Sequence, residues 1–158
     1  MAAAFGSLVE AALVDAIRNS PEYVGEWALV AELEGAIVGH TMVSYARLVT
    51  DHEVSRRVAM LSPLAVAPEV QRGGIGAALV RSVCARVDTA GEPCVVLEGS
   101  PAYYARFGFE PARPLGIEIP IPSWAPSEAG QLLRLANYTD SMRGTVVYPK
   151  AFDAVSDH

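Results

Sequence analysis

Residues 58–83, VAMLSPLAVAPEVQRGGIGAALVRSV, confine the chain to a small set of folds. The apolar, partly β-branched run from Val58 to Val66 reads as a strand. Pro63 interrupts it, and a proline with no N–H to donate belongs at a bulge or an edge. Pro68 and Glu69 turn the chain, Gln71-Arg72-Gly73-Gly74-Ile75-Gly76 forms a glycine-rich loop, and AALVRSVCARV has the spacing of a helix ending near Val87. Glycines let backbone approach a ligand closely, and the helix start that follows offers unpaired N–H groups and a positive dipole end. Such a device grips phosphate.

Gly91-Glu92-Pro93 then turns the chain into Cys94-Val95-Val96-Leu97, whose continuous apolar character predicts a buried central strand. Strand, helix and strand in this order make a right-handed crossover with the two strands parallel. Ligands in such sheets sit at the carboxyl ends of the strands. That groups Gln71–Gly76 with the residues after Leu97, which are Glu98-Gly99-Ser100 and then PAYYARFGFEP. Ser100 caps a short helix with Pro101 at its first position, Gly108 ends it, and Phe109 begins another strand.

Ahead of this unit, Ser7 to Asn19 predicts a helix that Pro21 stops, with Leu8, Ala11, Ala12 and Ile17 on one face. Ser7 is its N-cap and Glu10 completes a capping box. Trp27–Leu33 and Ala36–Val49 read as strands of a hairpin turning at Glu34-Gly35, and Asp51-His52-Glu53 as a polar loop. Pro120–Pro126 is a proline-dense loop, and Gln131–Leu135 and Gly144–Tyr148 are the last short strands. Antiparallel strands followed by a crossover predict an α/β protein of the α+β kind, a mixed sheet with helices on its faces.

At 158 residues, 51% of them hydrophobic and 19% charged, the chain is expected to form one packed domain over 1–158. No apolar run reaches the roughly 18 residues needed to span a bilayer, and MAAAFGSL lacks a basic region of a secretory signal, so a cytoplasmic protein without membrane partners is expected. Cys84 and Cys94 have no metal-ligand spacing and are expected to be buried thiols, with no metal bound. The net charge of −6 argues against a nucleic-acid partner and weakly favours cationic substrates. Ser62 sits in no Gly-x-Ser-x-Gly elbow. Leu79 stands where a dinucleotide fingerprint would have its third glycine.

The string QRGGIGA fits the (Arg/Gln)-x-x-Gly-x-(Gly/Ala) signature of the GCN5-related N-acetyltransferase (GNAT) superfamily, with Gln71, Gly74 and Gly76 in the defined positions. A tyrosine four residues before a Gly-Phe pair resembles the second signature of that superfamily. The fuller strings LEGSPAYYARFGFEPA and GTVVYPKAF resemble its YhbS-like branch of N-acetyltransferases. The resemblance implies a GNAT fold, a mostly antiparallel mixed sheet whose central parallel pair is joined by the cofactor-binding helix. The superfamily has a strand and a helix ahead of the segment matching Leu8–Arg18. Either the start of the chain is assigned late, or the first strand is missing here and the sheet edge is managed another way, for example by a partner chain such as a second copy in a homodimer.

The resemblance also implies acetyl-coenzyme A as cosubstrate and an amine of a small molecule or protein as acceptor. It places the pantetheine arm along Leu64, Ala65 and Val66, and the pyrophosphate on the N–H groups of Arg72, Gly73, Gly74, Ile75, Gly76 and Ala77. Arg72 either adds a charged contact to phosphate or points to solvent. An N–H near Val66 would polarise the thioester, and Tyr104 would protonate the leaving thiolate, with Tyr103 as second candidate. Glu98 serves as base or caps the Pro101 helix. Glu32 and His40 lie on strands that can line an acceptor site but are expected to be exposed or satisfied; Arg106 is expected at the surface, and His52 and His158 have no role. The alternative to a transferase is an acyl-coenzyme A-binding module whose acceptor site is lost or completed by a partner.

Overall fold

The computed structural model describes residues 8–153. Ser7 lies outside the described residues, and with it the capping box it would form with Glu10. The chain divides into two compact units, one formed by residues up to Ser44, Leu61–Arg86 and the segment from Pro149, the other by Tyr45–Met60 and Val87–Tyr148.

The first unit contains helix α1 (Leu8–Arg18), a 3-10 turn at Gly25–Trp27, strand β1 (Ala28–Leu33), the first part of β2 (Ala36–Val49), the last part of β3 (Ser55–Val66) and most of α2 (Ile75–Thr89). Leu13, Val14 and Ile17 of α1 pack on Met42 of β2, with Tyr23, Ala28 and Phe152 around them. This corrects the expected face. Ala12 is exposed, because the larger side chains at 13, 14 and 17 take the inner stripe, each stabilising by about 1.5–3 kcal/mol when buried. β1 begins one residue later than expected because Trp27, buried, belongs to the 3-10 turn.

The hairpin closes at Glu34 and Gly35, both with positive φ (51° and 81°), which suits a two-residue turn that follows the twist of the strands. Along β2, successive side chains leave opposite faces. Gly39 meets α2: a Cβ built on it would lie 3.0 Å from Leu79 Cδ1 and 3.1 Å from Ile75 Cγ2.

The second unit carries a sheet in the order β5-β7-β4-β3-β2-β8-β6. Here β4 is Cys94–Glu98, β5 Glu110–Pro111, β6 Ile117–Glu118, β7 Gly130–Arg134 and β8 Gly144–Val147, with a short helix α3 at Pro101–Ala105. The expected parallel pair is present, with Ala59 opposite Val95 and Met60 opposite Val96. β4 pairs antiparallel with β7 on its other side, and Cys94 to Leu97 are buried as their unbroken apolar run requires.

β3 lies inside the sheet, so of the two places expected for Pro63 the edge is excluded; the ladder to β4 ends at Met60, short of Pro63 and its cis peptide bond. The sheet also has a second parallel pair, β6 with β8, which the sequence did not signal because β6 is two residues long. The strand expected from Phe109 begins at Glu110, and Phe109 itself is buried.

The Gly39 contact makes a prediction. Gly39→Val forces branched carbons into Ile75 and Leu79, and overpacking of this kind costs about 1–3 kcal/mol. Urea unfolding should show a lower midpoint with an unchanged slope; an unchanged midpoint would mean that α2 is not seated on this glycine.

Candidate functional site

In the first unit, β3 ends with Leu64, Ala65 and Val66, all half-buried, and Ala67 donates its N–H to the Val38 carbonyl at 2.7 Å. Pro68–Val70 form a 3-10 turn, after which Gln71 folds back and donates Nε2 to the Val66 carbonyl at 3.0 Å. The motif glutamine thus braces the loop against the end of its own strand. Arg72 has φ +70° and Gly74 φ +88°. A left-handed arginine costs of order 1–2 kcal/mol, and such strain gathers where a backbone must present a fixed shape to a ligand.

The Gly73 N–H donates to Val70 O at 3.4 Å, and the Gly74 carbonyl accepts the Ala78 N–H at 3.0 Å as the helix begins. The first N–H groups of α2, at Ile75, Gly76 and Ala77, have no partner within the helix. No acidic side chain lies in the first turn, and a Cβ on Gly74 would meet nothing within 4 Å. An open approach, a positive dipole end and no competing carboxylate fit an anionic ligand.

In the second unit, Glu98 closes β4 opposite Gly130 of β7. The turn that follows is tightly bonded: Gly99 donates to the Ala129 carbonyl at 3.0 Å, and buried Gln131 donates Nε2 to the Gly99 carbonyl at 3.1 Å. Ser100 caps α3 as expected, accepting the Tyr103 N–H at 3.3 Å, with Pro101 in the first turn. Gly108, with φ +95°, ends that segment.

Tyr104 is half-buried. Its Cε2 lies 2.7 Å from where a Cβ on Gly99 would stand, so the ring rests on the bare α-carbon at the end of β4. Edge-to-face contacts with Tyr103, Phe107 and Phe109 hold it there, at centroid distances of 4.9, 6.3 and 5.7 Å. Arg106 is exposed and lies over the Tyr103 ring at 4.7 Å.

Glu98 is exposed at the end of its strand, yet partial burial of its carboxyl raises the pKa from the ordinary carboxylate value, the direction the sequence predicts for an acid at the end of an apolar strand. Tyr148, on the residue after β8, is pushed up by burial first and by the charge of Glu98 second, and its hydroxyl donates to the Pro120 carbonyl at 2.6 Å. Gly99, Gln131 and Tyr148 all shape this end of β4; Gly99 and Tyr148 lie within the strings that resemble the family, but nothing in those strings assigns them a part in the site, and Gln131 lies in neither.

His40 differs from expectation. It is neither exposed nor satisfied: the residue is 1% accessible, and neither ring nitrogen has a hydrogen-bond partner among the described residues. Burial, and secondarily Arg18, push its pKa below 6.5. Glu32 and His52 are exposed, and His158 lies outside the described residues. Cys84 and Cys94 are buried free thiols, both pushed up to about 12 by burial. Among the described residues no cluster of three or more metal-ligating side chains occurs, and no helix is long and apolar enough to cross a membrane. A cavity of about 370 Å³ in the second unit, edged by Asp51, His52, Glu118 and Arg143, touches none of the expected site residues.

The His40 imidazole fixes a sign for pH dependence. Its folded pKa is lowered, so on acidification through 6.5 the unfolded chain takes up a proton before the folded chain does. The stability from this group is full above 6.5 and is lost as pH falls below it. Urea midpoints should drop between about pH 7.5 and 5.5, and His40→Leu should shrink that drop. An equal drop in the variant would assign the acid sensitivity to other groups.

Residues 1–112 match the family described as the acetyltransferase (GNAT) domain. An uncharacterized N-acetyltransferase of Escherichia coli (strain K12), YjhQ, is 35% identical over 120 residues, covering 75% of this chain and 66% of that protein's length. Among solved structures, the GNAT family N-acetyltransferase YhbS from Escherichia coli, in complex with CoA, is 28% identical with a TM-score of 0.80, over 96% of this chain and 82% of the other. A GNAT family acetyltransferase from Brucella melitensis, in complex with acetyl-CoA, is 30% identical with a TM-score of 0.69, over 91% and 78%.

Proposed function

The chain belongs to the GNAT acetyltransferase family and has its fold, and from that premise we propose that it transfers an acetyl group from acetyl-CoA directly to a primary amine. The observation that carries the reading is the start of α2, with N–H groups at Ile75, Gly76 and Ala77 that have no partner within the helix, an open approach at Gly74 and no acid in the first turn. These groups would hold the pyrophosphate, with Arg72 adding charge from its exposed position. Gln71 acts by bracing the loop on Val66. Leu64, Ala65 and Val66 offer backbone for the pantetheine arm, and an N–H at Val66 or beside it stabilises the carbonyl oxygen as it gains charge.

Acetyl-CoA supplies an acyl carbon activated by a thiolate leaving group. The chain's own residues move the protons. Glu98, its proton affinity raised by burial, takes a proton from the acceptor ammonium, directly or through water, leaving a neutral nitrogen lone pair. That nitrogen bonds to the acetyl carbon, the carbon–sulfur bond breaks, and the electron pair leaves on sulfur. Tyr104 gives its hydroxyl proton to the thiolate and recovers one from solvent or from the amide nitrogen. The edge-to-face cluster around Tyr104 keeps its ring in one orientation for this task.

Tyr104→Phe should lower turnover by about tenfold or more, a typical loss for a general acid, and leave acetyl-CoA affinity nearly unchanged by calorimetry. Gly74→Asp should abolish cofactor binding, because φ +88° disfavours a side chain there and the carboxylate repels phosphate. Unchanged turnover in the first variant removes Tyr104 from the mechanism, and tight binding in the second removes the phosphate loop. Cofactor binding without turnover on any amine would leave an acyl-coenzyme A-binding module.

A homodimer is also proposed. Among the described residues β1 pairs with β2 alone, and Val30, Leu33 and Ile37 of the hairpin are about half exposed. An apolar edge of this kind is a template for a second copy. Val30→Lys should convert a dimer to a monomer in sedimentation; a wild-type monomer would end the proposal.

A further inference from the structure

The second unit holds a loop that the acid–base chemistry above does not use. Pro120–Pro126 leaves and rejoins the fold at the carboxyl end of β4. At its first foot, buried Ile119 packs against Gly130, its Cβ 3.0 Å from where a side chain on that glycine would begin, and Gly130 is the strand partner of Glu98. The next residue, Pro120, is latched by the Tyr148 hydroxyl. At the second foot, Ala129 donates to the Pro126 carbonyl at 3.0 Å and accepts the Gly99 N–H at 3.0 Å. The first foot therefore packs on the strand partner of Glu98, and the second is bonded to Gly99, the residue that follows it.

Between the feet the loop is stiff. Pro120, Pro122 and Pro126 each fix a backbone angle, and Ala125 donates to the Pro122 carbonyl at 3.0 Å to close a turn. Ser123 and Trp124 occupy the tip of that turn. Trp124 is 84% exposed, the highest value among the exposed large hydrophobic residues described. A flat ring held in water on a braced turn has little entropy left to lose when something stacks on it. Carboxylates lie near both feet, Glu98 on β4 and the exposed Glu128 before Ala129.

We infer that Trp124 and Glu98 form an acceptor subsite that selects amines with an aromatic or broad apolar body, the carboxylate receiving the ammonium group and the indole stacking on the rest. The inference rests on the acetyltransferase reading and names the class of acceptor for it. A hydrophilic polyamine has the charge but no face to stack, and gains nothing from the ring.

The two tryptophans make the test direct, since Trp27 is buried and Trp124 is not. The full chain is titrated with 2-phenylethylamine and with spermidine, with and without CoA, while indole emission is followed. Phenylethylamine should change the emission saturably and spermidine should not. Trp124→Ala should abolish the change and raise the KM for phenylethylamine about tenfold, leaving the KM for spermidine and the affinity for acetyl-CoA unaltered. No saturable change with phenylethylamine in a protein that binds acetyl-CoA overturns the subsite, as does a variant with unaltered amine preference. Failure of the wild-type chain to bind acetyl-CoA is a separate result. It ends the transferase reading, while the emission titration still decides whether the ring binds aromatic amines.

Discussion

The contact of α2 with the bare backbone of Gly39 fixes where the helix begins and where its free N–H groups point. Ile75 and Leu79 approach β2 more closely than any side chain at 39 would permit. The chain must therefore enter the helix from a tight approach, and the positive φ values at Arg72 and Gly74 achieve this within a few residues. Gln71, bonded to Val66, ties the same approach to the end of β3. The proposed phosphate grip is thus a by-product of close packing: a helix seated this low exposes its first turn at the end of a strand. A bulkier seat would move the dipole end without altering one residue of the glycine motif.

Two titratable groups, His40 in the interior and Glu98 at the exposed end of its strand, show how the same physical effect serves different ends. Desolvation favours the neutral form of both Glu98 and His40, raising one pKa and lowering the other. At Glu98 the result is a carboxylate with a greater appetite for protons at the end of a strand. At His40 the result is an imidazole that resists protonation, with both nitrogens unpartnered among the described residues. The first suits proton transfer. The second is an energetic burden, since a buried polar group without a hydrogen bond forgoes about 1–3 kcal/mol.

The sequence made the central elements legible because their signals are local. The glycines of the loop, the unbroken apolar run at Cys94–Leu97, and the Ser100-Pro101 helix start each correspond to one physical requirement, and the structure shows each in place. The misreadings have the opposite character. The inner face of α1 is decided by which of several apolar residues are large, so Leu13 and Val14 displaced Ala12. β6 exists only because β8 passes beside it. Gly99, Gln131 and Tyr148 gain importance from neighbours distant in sequence, and no periodicity records that. His40 has the pattern of an ordinary strand residue, because alternation says which face a side chain takes, not whether a partner waits there.

The ring of Tyr104 lies where a single methyl group on residue 99 would have to be. The geometry of the proposed acid is therefore held by a missing atom on a neighbouring residue rather than by the tyrosine alone. A chain of this family can keep its tyrosine, its carboxylate and its glycine loop and still lose the alignment of the hydroxyl through one alanine at the end of β4. Silent members of such a family would be indistinguishable from active ones by their reacting residues. The position that tells them apart reacts with nothing.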